Sequence, residues 1–426
     1  MSVAYSAIHP GKRVSKQSAK SKNGPQPEDR QPRLAARRRQ KMARSAHAYV
    51  RGSASLFYQW LDGQKAGALP EGPAVWIGGD CHLGNLGPVS SAGGKVAVQV
   101  RDLDNSVIGN PVHDLLRLGL SLTTAARSAD LPGVISSSMI EALADGYEQA
   151  FDDTRSDVTK SAQRPAVVKI AMKEALHRSR RKMDRQTIDG ARAAIPLGRR
   201  FWPLSEDERI AIHTLFETEP TQGVISSALT HASGARPTKI SILDAAFWVK
   251  GCSSLGRRRY AVLLDLDGAC LKGGPPCLVD IKEAVGSEAP RQDDASMPRD
   301  NAKRVLEGAR NLSPMLGNRM VAARLDGTAV VIRELMPEDL KLDAEGLTEQ
   351  DALKAAHFLA LVIGQAHARQ MDSGTRRAWL DELRKGRPKA RSSPAWLWRS
   401  IVELMVAHEH AYLEHCRRYA LERQDH

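Results

Sequence analysis

Hydrophobic positions recur along the chain with changing period, and each change marks a new stretch. Over residues 33–61, Ala, Leu and Met mix with Arg, and Tyr49, Ser53, Leu56, Phe57 and Trp60 fall at helical spacing. Gly63 and the Gly- and Pro-bearing stretch 67–73 end that predicted helix. Two short apolar runs follow, 74–77 and 96–100, each reading as a strand that enters a polar, acidic loop. Helical patterning dominates from residue 111 to about 217, with a break at 196–203. From about residue 238 the period shortens. The order there is strand, Gly-bearing loop (GCSSLG), strand (RRRYAVLLDL), strand (CLVDIKEA), helix at 300–311 and strand (VVIREL), a compact α+β unit. Helices close the chain, first DALKAAHFLALVIGQAHAR and then an amphipathic stretch at about 395–421. No repeat of solenoid type is present.

These patterns divide the chain into four: a basic, largely disordered tail leading into a helix (1–44), a region with both acidic loops (45–237), the α+β unit (238–342) and C-terminal helices packing back on the first region (343–426). The fold class expected is α+β. No apolar run approaches the roughly 20 residues of a membrane span, and no secretory leader is evident, so a cytoplasmic protein without a membrane partner is expected. The five cysteines are odd in number and scattered, which argues against a disulfide framework. The net charge is +13, and residues 1–44 hold 12 Lys or Arg against two acids, a net +10. The basicity is thus mainly a property of the tail, which reads as a solvated segment or a weak polyanion contact. A second basic stretch lies within 156–200. Oligomeric state is not specified by these features.

The candidate chemistry lies in the acidic loops. In WIGGDCHLGN, residues 76–85, Asp80 follows a strand and Asn85 follows five residues later. Such a pair suits phosphoryl transfer: the carboxylate orients and deprotonates a hydroxyl, and the amide oxygen helps hold magnesium. In VQVRDLDNSVIGNPVHDLLRL, residues 98–118, a second strand delivers Asp102 and Asp104, oxygen ligands of the kind a hard cation takes. His82 reads as a loop-shaping residue, and Asp114 as a cap or brace.

Together these two segments resemble the catalytic and metal loops of aminoglycoside phosphotransferases and choline-kinase-like enzymes. Those carry His-Gly-Asp, four residues and Asn, then an Asp followed seven residues on by Gly-x-Pro-x-x-Asp-Leu. Here Asp102 and Gly109 are seven apart and Asp114-Leu115 follows Pro111, but Gly78 stands where the motif has its His. With KMARSAHAYVRGSASLFYQWL, FWPLSEDE, GCSSLGRRRYAVLL and IKEA, the chain over about residues 40–415 is similar to the bacterial family catalogued as domain of unknown function 2252. The resemblance implies a bilobal, protein-kinase-like (aminoglycoside-phosphotransferase-like) fold with a mostly helical large lobe. It implies ATP and magnesium (Mg2+) as cofactors and an unidentified acceptor hydroxyl, such as that of a small molecule, as partner substrate.

In this frame the Gly251–Gly256 loop, with Ser253 and Ser254, would approach phosphates, Lys282 would contact them and Glu307 would orient Lys282. Asn85, Asp102 and Asp104 would be the metal ligands. Because kinases place the glycine loop before the catalytic loop and this chain places it about 170 residues after, the expected arrangement is circularly permuted. Arg51 is a further candidate anion contact, set against an ordinary surface arginine. Three other readings compete: a nucleotide-binding pseudokinase, a metal-dependent phosphoesterase suggested by Gly-Asp-x-His, and a basic nucleic-acid-binding or scaffold protein.

Overall fold

A computed structural model describes residues 24–91, 93–152, 164–177, 194–218, 221–229, 237–272, 274–336, 342, 348–385, 387 and 393–419. The first 23 residues of the basic tail and the run RSRRKMDR at 178–185 lie outside the described residues. The expected N-terminal helix is three: α1 (Pro27–Met42), α2 (Ala46–Val50) and α3 (Ala54–Asp62). Ser45 restarts the helix because its side chain accepts from the Ala48 amide at 3.1 Å. Apart from exposed Arg33, the basic side chains of α1 turn toward the protein. Arg30 pairs with Glu208, Arg38 donates to the Gly52 carbonyl, and Arg37 and Arg39 lie over the rings of Trp202 and Tyr419.

Four short strands follow: β1 (Val75–Ile77), β2 (Leu86–Ser90), β3 (Val96–Val100) and β4 (Val107–Gly109). β1 pairs antiparallel with β4, and β2 with β3. Each acidic loop therefore crosses from one two-stranded ribbon to the other, and the two loops are forced side by side. Next come α4 (Val112–Ser128), α5 (Gly133–Gln149) and α6 (Ala166–His177). Leu115, Leu116, Leu118, Leu120 and Leu122 of α4 are all buried, so this helix is apolar around most of its circumference and runs through the core. Each such leucine contributes roughly 1.5–3 kcal/mol of burial.

The second unit contains β5 (Phe201–Trp202), α7 (Glu206–Glu217), α8 (Thr221–Ala228), β6 (Ile240–Trp248), β7 (Arg259–Leu266), β8 (Cys277–Glu283), α9 (Asn301–Leu312), α10 (Pro314–Gly317), β9 (Met320–Leu325) and β10 (Thr328–Glu334). Its six strands form one antiparallel sheet in the order β5-β6-β7-β8-β10-β9. Val262, Leu264, Val279, Ile281 and Ile332 build a core with Trp202, Ile212 and Phe216, so β5, α7 and α8 pack with the sheet. The chain closes with α11 (Glu349–Ala368), α12 (Ser373–Arg384) and α13 (Ala395–Tyr419), whose apolar faces join α4 and α5 in the larger core. One large, mostly helical core and two smaller ones on the faces of the six-stranded sheet give a mixed α+β molecule.

Two contacts fix how α11 sits. A Cβ on Gly146 of α5 would lie 2.1 Å from the His357 carbonyl oxygen, so only glycine lets the two helices approach this closely. Just past α11, the Gln370 side chain accepts from the Trp76 amide at 2.8 Å and donates to the Trp76 carbonyl at 3.0 Å. The end of α11 is thereby tied to β1 across 294 residues of sequence. Among the described residues, no helix is long and apolar enough to cross a membrane.

Candidate functional site

The loop after β1 is shaped by its backbone first. Gly79 has φ +70° and its Cβ position would lie 2.1 Å from the Asn105 carbonyl oxygen, so this turn and the second acidic loop touch only because no side chain intervenes. Asp114, in the first turn of α4, accepts from the amides of Gly78 at 2.6 Å and Gly79 at 2.9 Å. The same carboxylate shares a hydrogen bond with His367 Nε2 at 3.1 Å, and His367 Nδ1 meets the Tyr147 hydroxyl at 2.9 Å. Burial works against ionisation of Asp114, but His367 and the two amides outweigh it and hold its carboxyl below the usual range. A brace made of three elements thus fixes the loop.

Asp80 follows. Its Oδ1 accepts from Arg117 Nε at 2.9 Å, and Arg117, one turn beyond Asp114 on α4, also donates to the Val50 carbonyl. Burial pushes the Asp80 carboxyl up to about 6 although Arg117 opposes the shift. The His82 Nε2 lies 3.8 Å from Asp80 Oδ2. A single 3-10 turn, Leu83–Asn85, then carries Asn85, whose Nδ2 donates to the Asp80 carbonyl at 3.0 Å. That bond aims the amide oxygen of Asn85 the other way.

The second acidic loop grows from the β2–β3 ribbon. The Arg101 amide donates to the Asn85 carbonyl at 2.8 Å, extending the ladder by one step beyond Leu86↔Val100. Asn85 and Asp102 are therefore held at the same end of one ribbon. Lys282 reaches the second loop from β8, where it and Asp280 face the loop while Val279 and Ile281 face the core under the sheet. Its Nζ lies 3.0 Å from Asp102 Oδ1 and 2.6 Å from Asp104 Oδ2. Behind it, Arg259 binds Asp280 bidentately at 2.8 and 2.5 Å, and Arg333 adds a contact at 3.2 Å.

This cationic wall separates the two aspartates. Burial disfavours the charge on Asp102, yet Lys282, Arg333 and Arg259 hold its carboxyl well below the ordinary range. Asp104 is pushed up by burial and by Asp102 itself, against Lys282 and Arg257. The Asp102 side chain is 34% exposed and Asp104 only 14%, with Arg257 bound to Asp104 at 2.9 Å. Asp102 is open to a ligand, whereas Asp104 is enclosed as a partner of two cations. Among the described residues no three His, Cys, Asp or Glu side chains converge as metal ligands. The carboxylate of Asp102 and the amide oxygen of Asn85 are donors of the type a magnesium ion takes, since it commonly binds one or two protein carboxylates and completes its shell with phosphate and water oxygens.

The glycine-bearing loop lies between β6 and β7. Gly251 and Gly256 have φ of +93° and +103°, and the Ser254 hydroxyl closes the turn onto the Lys250 carbonyl at 3.2 Å. Ser253 is half-buried within it. Helix α1 touches both ends, Lys41 Nζ donating to the Gly251 carbonyl and Gln31 Nε2 to the Gly256 carbonyl, each at 2.7 Å.

Glu307 is not brought to Lys282. It pairs with Arg310 at 2.7 Å on an exposed face of α9. The buried face of that helix carries Arg304, which donates to the carbonyls of Asp104, Ser106 and Val285 and so pins the second acidic loop. Gly308 packs against Ser106 on the same side, where a Cβ would lie 2.1 Å from the hydroxyl. Charge type suggested Glu307, but the phase of the helix decides otherwise.

Sequence reasoning missed Arg117, Arg304, His367, Tyr147, Arg259 and Arg333. A signal existed for Arg117, three residues after Asp114 on one helix and so on the same face. None existed for His367, which meets Asp114 across 253 residues. The sequence comparisons agree with the extent of these features. The chain belongs to the family described as an uncharacterized protein conserved in bacteria, DUF2252, whose model matches residues 30–418. No curated protein and no solved structure matches it.

Proposed function

We propose that this DUF2252 chain is an ATP- and magnesium-dependent phosphotransferase with a kinase-like fold in circularly permuted order, acting on a hydroxyl acceptor. One observation carries the reading. Lys282, on the third strand of the meander that holds the glycine loop, reaches Asp102, while Asp80 and Asn85 stand in the adjacent loop. Phosphoryl transfer in kinases uses such a set, a strand lysine, a metal-binding aspartate and asparagine, and a carboxylate beside the acceptor hydroxyl. The permuted order is supported by the Gln370–Trp76 contact, which brings the end of α11 to the start of the strand leading into the Asp80 loop.

The chemistry assigned to the chain follows from its environments. Asp80, pushed up to about 6, is ionised at neutral pH yet basic enough to take the proton of an acceptor hydroxyl as its oxygen attacks the terminal phosphorus and ADP leaves. A bound magnesium ion would supply charge neutralisation at the phosphate oxygens, with Asn85 and Asp102 as its protein ligands. Lys282 would turn from Asp102 to the phosphates, and the amides of the glycine loop would approach them closely. The motif histidine absent at Gly78 has a counterpart in His367, whose imidazole rests on the same Asp114 that fixes the loop.

Calorimetric titration tests the reading. ATP with magnesium should bind the wild type, ATP with a chelator should bind at least about tenfold more weakly, and Lys282→Met should weaken binding by a similar factor, as expected for losing a charged phosphate contact. Equal binding with and without magnesium, or none in any condition, contradicts it.

A further inference from the structure

Arg51 is a charged residue beside the Asp80 loop that this chemistry leaves unused. Its guanidinium lies flat on Gly84, between Asp80 and Asn85. A Cβ at Gly84 would sit 2.9, 3.0 and 3.1 Å from Arg51 Nε, Cζ and Nη2, near-equal distances that a face-on plane gives. The residue before it, Val50, is tied through its carbonyl to Arg117, which holds Asp80. Arg51 is thus mounted on the catalytic turn. Its Nε is buried without a hydrogen-bond partner, and among the described residues no carboxylate pairs with the guanidinium.

A second cation stands at the same seam. Lys41 Nζ donates to the neutral carbonyl of Gly251, and no carboxylate pairs with it among the described residues. Burial lowers the Lys41 pKa, and the charges of Arg44, Arg37 and Arg51 push the same way, with Cys252 opposing. The turn after Arg51 abuts the glycine loop, since a Cβ on Gly52 would lie 3.2 Å from Cys252 Sγ. Two half-buried cations, neither paired with a carboxylate among the described residues, therefore flank the point where the glycine loop meets the catalytic turn. Such an arrangement is costly unless an anion completes it.

We infer that Arg51 and Lys41 form an oxyanion subsite, so that the acceptor is a hydroxyl compound carrying a phosphate or carboxylate group. The word acceptor rests on the phosphotransferase reading; the anion rests on the geometry alone. A planar guanidinium with its donors at the rim suits either oxyanion bidentately. The nucleotide already has Lys282 and the loop amides for its own phosphates, which leaves this pair for the second substrate.

The test is thermal unfolding with inorganic phosphate at fixed ionic strength, with chloride as the control, alone and on top of saturating Mg-ATP. The wild type should show a saturable phosphate shift that persists with Mg-ATP present. Arg51→Gln should weaken phosphate about tenfold or more while keeping the Mg-ATP shift, with Lys41→Gln acting in the same direction and Arg51→Lys recovering only part. Lys282→Met should lose the Mg-ATP shift and keep that of phosphate. No phosphate shift in the wild type, or an equal one in Arg51→Gln, overturns the subsite. Loss of both shifts in Arg51→Gln assigns the pair to the nucleotide and overturns the acceptor assignment. If phosphate binds through Arg51 and Mg-ATP never binds the wild type, the subsite stands and the phosphotransferase reading falls.

Discussion

The two acidic loops join the same pair of ribbons, yet they treat their aspartates in opposite ways. Asp80 is enclosed with one arginine, and burial wins, so its carboxyl is pushed up to about 6. Asp102 is one-third exposed and faces Lys282 with Arg333 and Arg259 behind it, and the cations win. Neighbouring carboxyls whose environments drive them apart are how one site divides base chemistry from cation binding. The division follows from mounting. The first loop hangs on α4 through Asp114 and Arg117, and the second leans on the sheet through Lys282 and on α9 through Arg304.

That difference can be broken at several points. The largest effect expected is from Asp80→Asn, which should lower basal Mg-ATP turnover by about 10²–10⁴-fold, the contribution of a positioned general base; turnover within a few-fold of wild type removes Asp80 from that role. Next is Asp114→Ala, which leaves the amides of Gly78 and Gly79 and the His367 imidazole without their carboxylate. It should cost about 3–5 kcal/mol in denaturant unfolding, and a loss under about 1 kcal/mol would deny the brace.

The pH dependence sharpens the contrast. Because Asp80 is raised and the proposed general base acts when ionised, turnover should climb as pH rises through about 6 and level off above it. Arg117 favours the carboxylate, so Arg117→Gln should move that limb to higher pH; a limb that stays put would mean another group titrates. On the second loop, Arg304→Met should destabilise by about 2–3 kcal/mol through its carbonyl partners. Glu307→Gln, one turn away, should change stability by no more than about 0.5 kcal/mol and leave Mg-ATP affinity intact. A Glu307→Gln effect on affinity would restore its expected tie to Lys282.

Much of the site was legible because its signals are local. An acid within three residues of the end of a short apolar run marks Asp80 and Asp102, and strand alternation alone puts Lys282 opposite Val279 and Ile281. The glycines at 251 and 256 adopt the positive φ that their residue type suggests. Pairing was less visible. The partners β2 and β4 carry Gly and Pro or are only three to five residues long, so period gave little warning of them. Long-range partners were invisible in principle: nothing near His367 points to Asp114, and helical periodicity cannot say whether Arg304 or Glu307 of α9 faces inward. Arg51 shows the same limit, since its place on Gly84 depends on how α2 docks.

The division of labour between the loops is tested most directly by the melting temperature of wild type, Asp80→Asn and Asp102→Asn, each with Mg-ATP and without. Ligand at about 100 times its dissociation constant adds roughly 2.7 kcal/mol, a readable shift. The account predicts that Mg-ATP raises the melting temperature of the wild type and of Asp80→Asn, and that Asp102→Asn loses the rise. A rise kept in Asp102→Asn, or lost in both variants alike, would contradict it.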